Sequence, residues 1–358
     1  MRQNRVDTVL KYLEEMGLSQ ILITDPLSIC YLTGRMIQPM ERFYGLYLNR
    51  QGGHKIFINQ LEAVPEDLGV EKVRFSDTDP YLDLVARAVD SHQPLGVDKN
   101  MAARFLLPLL HREAASDFVN ASLAVDKARA VKDEVEQELM RKASQLNDTA
   151  MVELRPWIRT GVSELELAER LRNIYKDLGA EDVSFPPLIA FGANAASGHH
   201  WPDGTRLQPG DCVLIDIGCI YQGYCSDMTR TYFYQTVTDR QRQVYEVVRQ
   251  ANERAEQAVR PGVPLRDLDG IARGIIAEAG FGPNFTHRLG HFIGMEDHEF
   301  GDVSSTAEDA AMPGNIFSIE PGVYLEGELG VRIEDLVLVT EDGCELLNHV
   351  PKTLEIIE

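Results

Sequence analysis

Seven side chains that cluster in the second half of this chain are of the types that bind divalent cations. Asp216 and Asp227 stand eleven residues apart, in Ile215-Asp216-Ile217-Gly218 and Ser226-Asp227-Met228. Glu320 closes Phe317-Ser318-Ile319-Glu320, and Glu334 follows Val331-Arg332-Ile333. Between the two pairs, His287, His291 and His298 place three of the nine histidines within twelve residues. Taken singly, each has an ordinary explanation. A strand aspartate is commonly a solvated edge residue, a histidine in apolar surroundings a satisfied core residue, and the glutamates could pair with Arg332. Together they ask for more, because several carboxylates in apolar, strand-like runs cannot stay ionised side by side without a cation. The chemistry such a set supports is metal coordination.

The elements that must position these groups are duplicated. Gly161-Val162-Ser163 opens a helical pattern through Leu167, Leu171, Ile174, Tyr175 and Leu178, closed by Gly179. A shift of 101 residues reaches Gly262-Val263-Pro264, then Leu268, Ala272, Ile275, Ile276 and Ala279, closed by Gly280. Start signal, apolar face and terminal glycine all coincide. Further on, residues 207–218 align with residues 311–322 at a shift of 104, each a Pro-Gly turn leading into a strand that ends in a carboxylate. Helix, turn and strand repeating in order mark an internal repeat. Two copies packed about a pseudo-twofold axis would set Asp216 opposite Glu320, and Asp227 opposite Glu334. A turn at residues 221–223 between two strands would bring Asp216 and Asp227 to one face.

The remainder is ordinary globular sequence. With 358 residues, 44% of them hydrophobic and 25% charged, the chain suits two domains. The formal charge of −21 excludes nucleic acid as a partner, which needs clustered Lys and Arg. Residues 1–122 predict a small α/β domain. It has an opening amphipathic helix (Val6, Val9, Leu10, Leu13, Met16), strands at 20–24, 44–48, 55–58, 73–75 and 95–97, and helices near 80–90 and 101–112. Gln51-Gly52-Gly53 reads as a hairpin turn. Residues 123–358 form the second domain, with a long helix behind Asp133 and Glu136, a capping-box pair. The opening residues do not read as a signal peptide, and nothing reaches the roughly 18 apolar residues of a membrane span. Five cysteines without CxxC spacing predict free thiols in a reducing cytoplasm.

Asp216, Asp227, His291, Glu320 and Glu334 match, in order and spacing, the Asp-Asp-His-Glu-Glu set of the pita-bread metallopeptidases. That superfamily includes methionine aminopeptidase, aminopeptidase P, prolidase and creatinase. The resemblance is strong over about residues 125–358 and extends more weakly to Asp25-Pro26-Leu27-Ser28-Ile29-Cys30-Tyr31-Leu32-Thr33-Gly34. It is nearest to bacterial prolidases and short aminopeptidase P-like enzymes. The implied fold class is α+β, a duplicated pita-bread catalytic domain behind a creatinase-like N-terminal domain. The implied function is hydrolysis of the Xaa-Pro bond of small peptides, dipeptides first, with an Xaa-Pro aminopeptidase as the alternative.

By that resemblance two divalent ions are expected. Asp227, His291 and Glu320 would hold one, Asp216 and Asp227 the other, and Glu334 would bridge. One imidazole among carboxylates favours Mn²⁺, with Co²⁺ or Zn²⁺ as alternatives. A two-metal site activates a bridging water and clamps the tetrahedral intermediate, with Glu320 as general base. His199 and His298 match family histidines that bind substrate and stabilise the oxyanion, and Arg332 a family arginine that braces the site. A homodimer is implied, with residues 34–42 as a loop reaching the partner's site. Phe292 and Gly198 depart from the family pattern without touching a ligand. Residues 299–318 contain no Lys or Arg, where some members supply an arginine for the substrate carboxylate. Here that charge would come from Arg288, Arg332, or the partner subunit's Arg35 or the partner subunit's Arg42. A metal-free amidinohydrolase or a non-catalytic binding module on this fold would lack ligands that this chain keeps.

Overall fold

The computed structural model describes residues 1–65 and 67–358. The chain divides into two compact units, Met1–Arg129 and Ala130–Glu358.

The first unit opens with α1 (Gln3–Glu15), β1 (Gln20–Ile23), α2 (Pro26–Thr33), β2 (Gly45–Asn49), β3 (Lys55–Asn59) and β4 (Glu71–Phe75). It continues through α3 (Tyr81–Ala88), β5 (Leu95–Val97), α4 (Ala103–His111), β6 (Phe118–Asn120) and α5 (Ser122–Ala130). The expected domain boundary after residue 122 falls at the head of α5. The six strands form one sheet in the order β4-β3-β2-β1-β5-β6. β2 and β3 pair antiparallel across the glycine turn, whereas β5 pairs parallel with both β1 and β6. Asp25 caps α2, its carboxylate accepting from Ser28 N–H, with Pro26 preset for the first helical position. α2 and β6 are elements that hydrophobic periodicity does not reveal.

The second unit is built from two like halves. The first comprises α6 (Glu134–Leu154), α7 (Glu164–Leu178), β7 (Asp182–Val183), β8 (Leu188–Phe191), β9 (Cys212–Ile217), β10 (Cys219–Tyr221), β11 (Tyr224–Cys225) and β12 (Met228–Tyr234). The second comprises α8 (Asp239–Ala258), α9 (Leu265–Glu278), β13 (Gly290–Phe292), β14 (Glu299–Val303), β15 (Ile316–Ile319), β16 (Gly322–Leu325), β17 (Leu329–Arg332), β18 (Asp335–Val339) and β19 (Cys344–Leu346). A last strand, β20 (Ile356–Ile357), returns to pair with β12. Capping boxes start α6 (Asp133 with Glu136), α7 (Ser163 with Glu166) and α8 (Thr238 with Gln241), satisfying helix N–H groups that otherwise lack partners. The repeat extends to single bridges, Ser163 with Arg206 in one half and Pro264 with Ala310 in the other.

Alternation along the strands decides where the acids go. Val213, Ile215 and Ile217 of β9, with Tyr232 and Tyr234 of β12, pack against α6 and α7. Cys212, Leu214 and Phe233 face the other way, into the core shared with α8, α9 and the second half. Asp216 has the parity of Leu214, and Asp227 that of Phe233, so both carboxylates point toward the second half. β9 and β12 pair antiparallel with Thr229 opposite Asp216, so residues 216 and 229 share a face, and Asp227 lines the same cavity as Asp216. In the second half Leu329, Val331 and Ile333 enter that core, leaving Arg332 and Glu334 to face the first half. Glu334 N–H donates to the Thr229 carbonyl at 3.1 Å, joining the two halves at the acids themselves.

Candidate metal centre

Each of the eight side chains named from the sequence lines one cavity of about 570 Å³. Asp227, His291 and Glu334 are buried, and their ligand atoms lie within 4.8 Å of one another. His291 Nε2 is 3.4 Å from Asp227 Oδ2 and 3.5 Å from Glu320 Oε1. Those separations are long for hydrogen bonds. They suit side chains that would share a bound ion. A β-bulge between His291 and Phe292 re-aims this part of the strand. Gly290, just before it, lies so close to the Ser318 carbonyl that any side chain there would displace it. Phe292 turns away, its ring against Phe317.

The electrostatics fit bound cations. Asp216 Oδ1, Asp227 Oδ1 and Glu334 Oε1 are buried oxygens without a hydrogen-bond partner among the described residues. Burial, then Glu334, pushes the Asp227 carboxyl well above its ordinary range, and burial with Glu320 does the same to Glu334. Burial raises Glu320 to about 7 against the pull of Arg332. Burial, helped by His298, lowers His291 to about 3, so its imidazole is the neutral form that metals take. The donor set therefore fits divalent ions, with four carboxylates to balance two double charges.

Arg332 links several of these groups. Its Nη2 donates to Asp216 Oδ2 at 2.5 Å, Nη1 to Tyr324 Oη at 2.8 Å, and Nε to Thr229 Oγ1 at 3.1 Å. Thr229 Oγ1 in turn donates to Glu334 Oε2 at 2.7 Å. Tyr324 also meets His287 Nε2 at 2.9 Å, and His287 Nδ1 meets the Arg288 carbonyl at 2.7 Å. A carbonyl can only accept, so Nδ1 carries the proton and Nε2 accepts from the tyrosine. Burial lowers His287 to about 4, which keeps that arrangement neutral.

The histidines divide by role. His200 Nε2 lies 2.6 Å from Glu164 Oε2, whereas neighbouring His199 is exposed at the cavity with no such tie. Glu164 itself is completely buried and holds four groups of residues 191–203. Its Oε1 accepts from Phe191 N–H and Asn194 Nδ2, and its Oε2 meets His200 Nε2 and Asp203 N–H. The His298 ring stacks on His291 with centroids 3.9 Å apart. Arg288 Nη2 donates to His298 Nδ1 at 3.2 Å, which leaves the His298 proton on Nε2.

Asp297, Tyr324 and Glu164 are site residues that the sequence reading did not single out. Asp297 reaches the cavity, has a buried Oδ1 without a partner, and is raised by burial to about 7. Its signal was an acid beside His298 in a motif already chosen; Tyr324 carried none, and Glu164 only its place at the head of a repeated helix.

Residues 138–341 match metallopeptidase family M24, and residues 5–131 match the creatinase/prolidase N-terminal domain. The chain is 34% identical to an uncharacterised peptidase of Staphylococcus aureus over 97% of its own length and 99% of that protein. Dipeptidase PepE from Mycobacterium ulcerans is similar in structure, with TM-score 0.93 and 32% identity over 99% of this chain and 98% of that one. Recombinant prolidase from Thermococcus sibiricus gives TM-score 0.93 and 31% identity over 99% of each chain.

Proposed function

Because this chain belongs to metallopeptidase family M24, we propose that it is an Xaa-Pro dipeptidase working with two divalent ions, Mn²⁺ in the first place. The observation that carries this reading is the meeting of Asp216, Asp227, His291, Glu320 and Glu334 in one cavity, with three buried carboxylate oxygens that have no hydrogen-bond partner among the described residues. Asp227, His291 and Glu320 would hold one ion, Asp216 and Asp227 the other, with Glu334 shared. When bound, the ions supply Lewis acidity and make water acidic enough to ionise near neutral pH. Glu320 takes a proton from the attacking water and returns it to the departing proline nitrogen. His199 and His298 hydrogen-bond the scissile carbonyl oxygen as negative charge develops on it, the latter through Nε2–H. Arg332 holds Asp216 and, through Thr229, Glu334 in place. Phe185, Pro186 and Pro187 give the cavity an apolar wall on which a pyrrolidine ring can pack.

We also read the enzyme as a cytoplasmic homodimer. Five free cysteines support the compartment. Met36 and Met40, the latter 78% exposed, support a buried fate for the loop that carries them. Among the described residues no helix is long and apolar enough to cross a membrane.

The test compares Xaa-Pro dipeptides with Xaa-Pro-Xaa tripeptides, using Mn²⁺-loaded wild type and Glu320→Gln. Dipeptide turnover that vanishes in the variant is the expected result. Faster tripeptide turnover would transfer the site to an Xaa-Pro aminopeptidase, and a metal-loaded wild type inert toward both would overturn the reading.

A further inference from the structure

An Xaa-Pro dipeptide brings a C-terminal carboxylate into a cavity already lined by acids, and a cation must meet it there. Among the described residues, Arg288 and Arg332 are the only Lys or Arg side chains lining that cavity. Arg332 is buried and committed to Asp216, Tyr324 and Thr229. Arg288 is half-buried, and among the described residues its side chain's one hydrogen bond is the donation from Nη2 to His298. It has no carboxylate within ion-pair distance among the described residues. Of the two arginines that a partner subunit's loop could offer, Arg42 is held by Asp77 through both Nε and Nη2, and Arg35 is exposed. Residues 299–318 offer no cation.

We propose that Arg288 binds the C-terminal carboxylate of the substrate and so determines selection for dipeptides, an assignment that rests on the dipeptidase reading above. A guanidinium has five N–H donors in a rigid fork. With one given to His298, Arg288 keeps an edge for bidentate carboxylate binding. Its place suits the substrate's dimensions. His298 stacks on the ligand His291, so Arg288 stands one side chain beyond the expected ions. A dipeptide carries its carboxylate one residue, about 3.6 Å of extended chain, past the scissile carbonyl. A longer peptide puts an uncharged amide there and leaves the arginine unanswered, which is discrimination by an unpaired charge.

The experiment measures kcat/KM for a panel of Xaa-Pro dipeptides and their C-terminal amides, in Mn²⁺-loaded wild type, Arg288→Met and Arg288→Lys. Metal content and circular dichroism verify each variant. Wild type should prefer the acid by about a hundredfold, the loss expected when one partner of a desolvated charge pair goes missing. Arg288→Met should bring that ratio close to one, mainly through a higher KM for the acid. Arg288→Lys, a point charge without the fork, should keep part of the preference. A wild-type acid-to-amide ratio that persists in Arg288→Met would overturn the assignment while leaving the dipeptidase reading intact. Equal losses on acid and amide would do the same, placing Arg288 behind His298 alone. Wild type that hydrolyses neither substrate would overturn both.

Discussion

Thr229 serves both an acid and the arginine that braces it. Its hydroxyl donates to Glu334 and accepts from Arg332. Thr229→Val keeps the shape and removes both bonds, so Glu334 is free to turn and Arg332 Nε loses its acceptor. Such outer partners commonly contribute 10–100-fold to metal affinity, and a loss of about that size is expected on titrating the variant with Mn²⁺. The acids also set a pH dependence. Without ions, burial keeps protons on Asp227 and Glu334, and on Glu320 up to about 7. Unfolded carboxylates lose theirs near 4. Between those limits the unfolded chain binds fewer protons than the folded one, so stability of the metal-free protein falls as pH rises through the window. Thermal unfolding in EDTA on both sides of it checks the sign. Ion binding should release protons and tighten over the same range, which calorimetry in buffers of different ionisation enthalpy reads directly. The ligand-type residues were legible in the sequence because acids inside apolar runs are conspicuous. Tyr324 was not, since a tyrosine in a strand is ordinary until its hydroxyl is seen between Arg332 and His287.

At the scale of elements, the first turn of α7 governs the loop that carries His199. Glu164 is buried at the head of that helix and gathers Phe191 N–H, Asn194, His200 and Asp203 N–H. Glu164→Ala strands a buried N–H and releases the loop. A stability cost of about 1–3 kcal/mol is expected from the unsatisfied group. A fall of roughly tenfold or more in kcat/KM, at unchanged metal content, would reflect displaced substrate contacts. Calorimetry and metal analysis beside the kinetics separate the two effects. The helices and strands of the repeat were readable because each half restates caps, apolar stripe and Pro-Gly turn. α2 was hidden for a physical reason: Ser28, Ile29, Tyr31 and Leu32 are all buried, so no polar face marks a helical period. β6 has three residues, too few to show alternation. Glu164 was hidden because a glutamate in the first turn of a helix is expected to face water and the helix dipole.

For the whole molecule, every proposed ligand lies in the unit Ala130–Glu358 and none in Met1–Arg129. Ions that bind only the folded state stabilise it by mass action, by about 2.7 kcal/mol when present at a hundred times their dissociation constant. Chelation should therefore lower the calorimetric transition of the second unit and leave that of the first in place. A single transition moving as one would show that the units unfold together. The ligands are also divided within that unit. Asp216 and Asp227 belong to the half ending at β12, whereas His291, Glu320 and Glu334 belong to the half beginning at α8. Neither half owns a complete site, and only the backbone between Tyr234 and Asp239 joins them directly in sequence. A chain nicked in that linker would become a two-part assembly joined by the shared apolar core and by the ions, so its halves should associate more tightly on adding Mn²⁺ and more weakly in chelator.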